Sequence, residues 1–236
     1  MRKHGSWGLL ALALALLLAG AAVFCYPRVT AWQYARAVDG LHRSFAAATS
    51  GDAAGGGQDE ALQRLYEELC RRNEELYATR QEGLRDPFDY QQPAVSLADY
   101  GLADDVIGFL RIPALELELP IVLGANEENL KRGAAHLTQT SYPVGGENTN
   151  CVLAAHRGYY KAPMLRDVQL LQTGDEVYVE NFRETLTYTV AETRIIEPTD
   201  IGELLIQDGR DLVTLVTCHP LGSNAQRYVV YCERAA

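Results

Sequence analysis

The chain has 236 residues, 47% of them hydrophobic, and a formal charge of -10. That length supplies one sizeable core once a membrane segment and a linker are set aside, and an acidic chain without a Lys/Arg-rich stripe argues against nucleic acid as a partner, because such binding needs a cationic groove to displace condensed counterions. Five cysteines, at 25, 70, 151, 218 and 232, are odd in number and form no CxxC pair, so neither a zinc site nor a complete disulfide framework is expected, at least one thiol stays free, and no metal or other cofactor is implied.

At the N-terminus, MRKHGSW precedes GLLALALALLLAGAAVF, a 17-residue uncharged run from Gly8 to Phe24 with Arg2 and Lys3 ahead of it. The run reads either as a signal peptide, which the small residues Ala19-Gly20-Ala21-Ala22 would suit, or as an uncleaved signal anchor near the ~17-residue lower bound for spanning. Val23-Phe24 lacks the small residue that a lipobox places before its cysteine, which speaks against lipidation of Cys25. Basic residues before the run and an acidic remainder put the bulk of the chain outside the cytoplasm, although Arg28 blunts the contrast.

From Pro27 to Ala48 the sequence is moderately helical, and Ser50-GDAAGGG-Gln58, with four glycines in seven residues, breaks it as a flexible joint. The stretch EALQRLYEELCRRNEELY then sets Leu62, Leu65, Tyr66, Leu69 and Leu76 on one stripe at helical spacing, which predicts an amphipathic helix packed on the domain or on a partner helix. After Asp105 come the short apolar runs VIGFLRIP, LELELPIVL, NCVLAAH, DEVYVEN, ETLTYTVAETRII, DLVTLVTC and RYVVYC. They are bounded by Pro, Gly, Asn and Asp, and short helical pieces are expected around NEENLKRG, APMLRDVQLL and DIGELLI. The fold class is therefore mostly β: a mostly antiparallel, closed or half-closed barrel of about 130 residues.

Three reactive side chains stand where an apolar run meets a loop, a position at which scaffolds expose catalytic groups. Cys218 ends DLVTLVTC just before the turn Pro220-Leu221-Gly222, His156 ends NCVLAAH before Arg157-Gly158, and Arg227 opens the last strand, expected to return as the hairpin partner of the Cys218 strand. Each alone has a bland alternative: a buried inert thiol, a structural histidine, a solvated arginine. His136, in a loop-like stretch, and His219, next to the cysteine, are rivals to His156. As a trio they are chemically complete, since a thiol of ordinary pKa about 8.5 needs a base or a cation, and acyl transfer needs an anion stabiliser. Whether Cys151 and Cys232 form a disulfide stays open at this level.

The stretch from Asp105 to Arg234 resembles the sortase catalytic domain. The resemblance is carried by TLVTCHPLGSNAQR around the cysteine and arginine, VLAAHRG around the histidine, LQTGDEVYV between them, and the order His, Cys, Arg. It implies a cysteine transpeptidase on a sortase-type barrel, catalytic residues His156, Cys218 and Arg227, and a role for Thr217 in shaping a pocket for the threonine of an LPxTG-like sorting signal. Partners implied are a surface protein or pilin bearing that signal and an amine on a pilin or a peptidoglycan precursor. The resemblance also favours the anchor over the cleaved peptide. The expected organisation is a membrane segment at 1–25, an extracytoplasmic stalk, linker and lid region at 26–104, and a catalytic barrel at 105–236, at the cell membrane of a Gram-positive-type envelope.

Within the family, HLTQTSYPVGGENTNCVLAAHRG and the upstream DPFDY resemble the pilin-polymerising class C group, whose Asp-Pro-aromatic lid would here be Asp86, Pro87 and Phe88. Two departures stand against that subclass: a second hydrophobic span after the domain, common in the group, is missing before Ala236, and His219 follows the nucleophile where threonine is frequent. Attachment of proteins to peptidoglycan by a single-span enzyme is therefore the alternative outcome. L,D-transpeptidases place Ser-His-Gly before their cysteine where this chain has Leu-Val-Thr, papain-like proteases have the opposite Cys-to-His order, and a non-catalytic envelope module has no need of all three polar residues.

Overall fold

The computed structural model describes residues 5–50, 57–102, 105–159 and 162–235; Arg2, Lys3 and most of the glycine joint lie outside the described residues. Helix α1 (Gly5–Thr49) runs unbroken through Pro27. Its N-terminal part is exposed from Trp7 to Val29, with an 18-residue window of mean hydropathy 2.6 that no protein covers. Such a surface suits lipid rather than water. Its C-terminal part is a different object: Tyr34 donates to the Arg132 carbonyl at 2.9 Å, Val38 and Phe45 are buried, and Phe45 meets Phe109 edge-on at 5.5 Å.

Helix α2 (Gly57–Ala78) buries Leu62, Leu65 and Leu69 of the predicted stripe, together with Ala61 beside them. The inward position one turn on belongs to Asn73 and not to Leu76, which is only partly covered. Asn73 accepts from Tyr142 N at 2.7 Å and donates to Tyr142 O at 3.3 Å, so the buried amide is satisfied by both backbone groups of one residue.

Eight strands close into a barrel as expected: β1 (Val106–Ile112), β2 (Leu117–Leu123), β3 (Ala134–His136), β4 (Thr149–Ala154), β5 (Glu176–Asn181), β6 (Thr185–Ile196), β7 (Asp211–His219) and β8 (Gln226–Arg234), in the order β1-β2-β3-β4-β7-β8-β6-β5. Pairings are antiparallel except β2 with β3 and β4 with β7. The seam between β1 and β5 needs a glycine, because a Cβ on Gly108 would lie 2.0 Å from the Glu180 carbonyl oxygen. A short helix α3 (Glu127–Arg132), capped by the Asn126 side chain on Asn129 N at 2.9 Å, joins β2 to β3. The other two expected helical pieces are single 3-10 turns at Val168–Leu170 and Ile201–Leu204. One apolar cluster fills the barrel and receives α1 and α2, while a second, around Val216, Val229, Leu130 and Leu84, lies under the segment before β1.

Cys151 and Cys232 are free and buried, on strands that flank β7 from opposite sides at Val213. Two strand spacings of ~4.8 Å put their backbones beyond the reach of a disulfide, about 7 Å.

Candidate active site

The parallel register of β4 on β7 pairs Ala154 with Val216, and Ala155 N continues it by donating to Val216 O at 3.1 Å. One step further, the chain presents His156 beside Cys218. On the other edge of β7, Cys218 is the register partner of Arg227 on β8. Arg227 is thus on a neighbouring strand about 4.8 Å away, while His156 follows the end of β4, where the parallel register, continued past Ala154, sets it on the opposite side of Cys218. Thr217, fully buried, donates its hydroxyl to Ala155 O at 2.7 Å, so it ties the cysteine strand to the last residue before the histidine.

Asp86, Pro87 and Phe88 cover this row. Asp86 accepts two hydrogen bonds from Arg227, Nε to Oδ1 at 2.8 Å and Nη2 to Oδ2 at 2.6 Å, with side chains only 12% and 6% exposed. Phe88 lies under the Arg227 guanidinium at 4.9 Å and 6.4 Å from the His156 ring, whose other neighbour, Tyr159, is stacked at 5.8 Å. Both ends of the segment are pinned. Gln81 donates to Gln139 O at 3.0 Å and accepts from Ile206 N, while Gln91 accepts from Thr138 N at 3.0 Å and Gln92 O accepts from Thr138 Oγ1 at 2.7 Å. Between those staples Leu84 and Phe88 rest on the second apolar cluster.

The cover sets the electrostatics. Burial pushes the Cys218 thiol above its ordinary value and Asp86 pushes the same way, against the guanidinium groups of Arg227 and Arg157. Burial, helped by Lys131, pulls His156 down against a smaller opposing effect of Glu127. Both shifts favour the neutral thiol and the neutral imidazole in this covered arrangement. His136 is no part of the site: it lies in β3 rather than a loop, is fully buried, and donates from Nε2 to the carbonyls of Thr140 and Ser141 at 3.2 and 3.1 Å, with its pKa driven down to about 4 by burial. His219 turns toward Tyr228 and meets Arg157. Arg157, which the sequence marks only as the opening of a loop, is the residue of this neighbourhood that pattern reading missed. Its position directly after the histidine is the one signal that points to it.

A free thiol between an imidazole and a guanidinium can form and resolve a thioacyl group, which is the chemistry expected of the resemblance. A sortase domain family model matches residues 110–235. Sortase A of Bacillus anthracis is 34% identical over 125 residues, 53% of this chain and 58% of that protein, so the match spans little more than half of that relative's length. Among solved structures, Streptococcus agalactiae sortase C1 in complex with MTSET superposes with a TM-score of 0.72 at 32% identity over 83% of this chain and 97% of its own. The sortase C of Streptococcus pneumoniae superposes with a TM-score of 0.69 at 32% identity over 83% and 96%. On the family match, the eight-stranded barrel and these neighbours, the chain belongs to the sortase family.

Proposed function

We propose that this chain is a membrane-anchored cysteine transpeptidase of the class C kind, which cleaves an LPxTG-like sorting signal and passes the acyl group to an amine, a pilin lysine. The observation that carries it is the position of Cys218 between His156 and Arg227, under an aspartate-and-phenylalanine cover. Residues 105–236 form the catalytic unit in this reading, residues 26–104 supply the stalk and the lid, and residues 1–25 are the anchor. The likeness to two sortase C structures supports the subclass.

The steps follow from the groups present. When the lid leaves, the Asp86 carboxylate no longer occupies Arg227, and water and substrate reach the sulfur. Cys218 passes its proton to His156, its sulfur attacks the scissile carbonyl, and the tetrahedral oxyanion meets Arg227, which can only donate. His156 protonates the departing amine, leaving a thioacyl enzyme. An incoming amine then loses its proton to His156 as it attacks, the C–S bond breaks, and His156 hands that proton to the departing sulfur, which regenerates the thiol and completes transpeptidation. Thr217 acts from beneath, holding the two strand ends in register.

Mass spectrometry of the full chain in detergent with an LPxTG-type peptide tests the reading. A thioacyl adduct should form, disappear in Cys218→Ala, and grow severalfold in Asp86→Ala/Phe88→Ala; an adduct that survives Cys218→Ala, or none with any sorting-motif variant, overturns it.

A further inference from the structure

The end of β7 that carries the nucleophile leads into an exposed hairpin turn, residues 220–225, whose backbone closure is one bond, Ser223 N to Pro220 O at 2.9 Å. Two arginines hold the feet of that hairpin. On the β8 side, Arg227 Nη1 donates to the carbonyls of Asn224 at 2.9 Å and Gln226 at 3.1 Å. On the β4 side, Arg157 reaches across from the loop after His156: Nη1 faces the Cys218 carbonyl at 3.4 Å and donates to His219 Nδ1, and Nη2 donates to Gln169 Oε1 at 2.6 Å. The guanidinium also lies over the Tyr228 ring at 5.4 Å. Since arginine cannot accept, His219 meets it through a bare Nδ1, with the ring proton on Nε2.

These two holds differ in what the reaction asks of them. Arg227 is engaged by Asp86 in the closed form and by the developing oxyanion in the open one, so its grip on the hairpin is shared with other work. Arg157 has no such duty. Among the described residues its Nε is buried without a hydrogen-bond partner, and its hydrogen bonds leave from Nη1 and Nη2, toward the Cys218 carbonyl, His219 and Gln169.

We propose that Arg157 is a positioning residue for the nucleophile: its guanidinium clamps the Cys218 carbonyl and the His219 ring to the His156 loop, and so fixes the thiol against the histidine while the lid is open. This rests on the proposed acyl-transfer reading and deepens it. The clamp joins the loops that carry the two reacting groups, so its loss lets them drift apart with the substrate already bound. The cost falls on kcat, as expected for a contact that matters to geometry at the reacting atoms rather than to binding. The charged groups that face Cys218 are Arg227, Asp86 and Arg157, and Arg157 favours the thiolate.

The test uses the full chain in detergent, with wild type, Arg157→Met and Arg157→Lys compared in two assays: transpeptidation of a sorting peptide, and iodoacetamide alkylation of Cys218 against pH. Arg157→Met should lower kcat tenfold or more with KM changed less than twofold, and should move the alkylation midpoint to higher pH because a cation beside the sulfur is gone. Arg157→Lys keeps the charge but cannot span two acceptors, so it should restore the midpoint and leave kcat low. Arg157→Met with unchanged kcat and midpoint overturns the proposal, as does a lowered melting temperature with neither parameter moved. If Arg157→Met does not fold, full kcat in Arg157→Lys overturns it. Absence of turnover in the wild type would sink the acyl-transfer reading instead, and the alkylation assay would still decide whether Arg157 acts on the thiol.

Discussion

In the proposed reaction Asp86 acts in two ways at once: it occupies the Arg227 guanidinium, the proposed oxyanion donor, and it places a negative charge beside the proposed nucleophile Cys218. Removing one partner of a buried ion pair typically costs about 3–5 kcal/mol; in the proposed opening the whole Asp86 segment leaves, so that the unpaired arginine regains water instead of staying stranded. Asp86→Asn keeps the shape and removes the charge. An anion beside the sulfur holds the thiol pKa up, so its removal lowers that pKa. The alkylation midpoint of Cys218 should therefore shift to lower pH than in wild type; a shift upward, or none, would mean that the carboxylate does not govern the thiol. Cys151 and Cys232, buried with pKa values pushed far above the ordinary thiol range by desolvation, stay unlabelled in the same experiment. His156, Cys218, Arg227 and Asp86 could be singled out from the sequence, His156 and Cys218 because each ends an apolar run, Arg227 because it opens one, and Asp86 because it sits in a short motif. Arg157 on His219, 62 positions away, and Gln81 on Ile206, 125 positions away, could not, since such contacts depend on loop paths and rotamers that no local pattern encodes.

At the scale of elements, the outer half of α1 is fastened to the barrel by a charge arrangement as well as by apolar contact. His42 stacks on Phe109 at 4.4 Å and lies between two carboxylates, Nδ1 2.9 Å from Glu118 on β2 and Nε2 2.9 Å from Glu180 on β5. Burial works to lower its pKa, but the hydrogen bonds and charges of Glu180 and Glu118 together outweigh burial and the net shift is upward. A raised folded pKa contributes stability that is complete below the unfolded value of about 6.5 and is lost as pH rises through the folded value. The melting temperature of wild type should exceed that of His42→Gln at pH 5.5, and the gap should narrow as pH rises toward 9; a gap independent of pH would show that the imidazolium charge does not hold the helix. Neither this latch nor the passage of α1 through Pro27 follows from periodicity, because both depend on what the helix packs against. Strands rich in valine, isoleucine and tyrosine were readable, whereas β3 is three residues, Ala-Ala-His, too short and too small to show alternation. The failure of APMLRDVQLL to become a helix has a local cause in Met164, whose φ of +46° breaks the turn.

For the whole molecule, the uncovered apolar half of α1, read as the proposed membrane span, puts two solvents along one helix axis and sets where the proposed site would work. Phe24 ends the uncovered apolar run and Tyr34 makes the hydrogen bond to Arg132, ten residues on, so at 1.5 Å per residue only ~15 Å of helix separates the end of the proposed span from the barrel. The gap is narrower at one place: a groove of about 660 Å³ has Val23, Phe24 and Arg28 on one wall and Tyr159, Pro163 and Arg166, from the loop after His156, on the other. A barrel held that near a bilayer by one continuous helix can receive a substrate still tethered in the same membrane without diffusing to it. If α1 is the anchor, the full chain expressed in a Gram-positive host should remain with membranes through alkaline carbonate extraction, and protease added to protoplasts should degrade the barrel. Replacing Leu14 and Leu17 by arginine places two charges in the middle of the uncovered run, where each costs about 2.5–3.5 kcal/mol, and should release the chain from the membrane fraction. Release of the unaltered chain by carbonate would reduce the helix to a peripheral contact, and a barrel protected from external protease would reverse the proposed orientation.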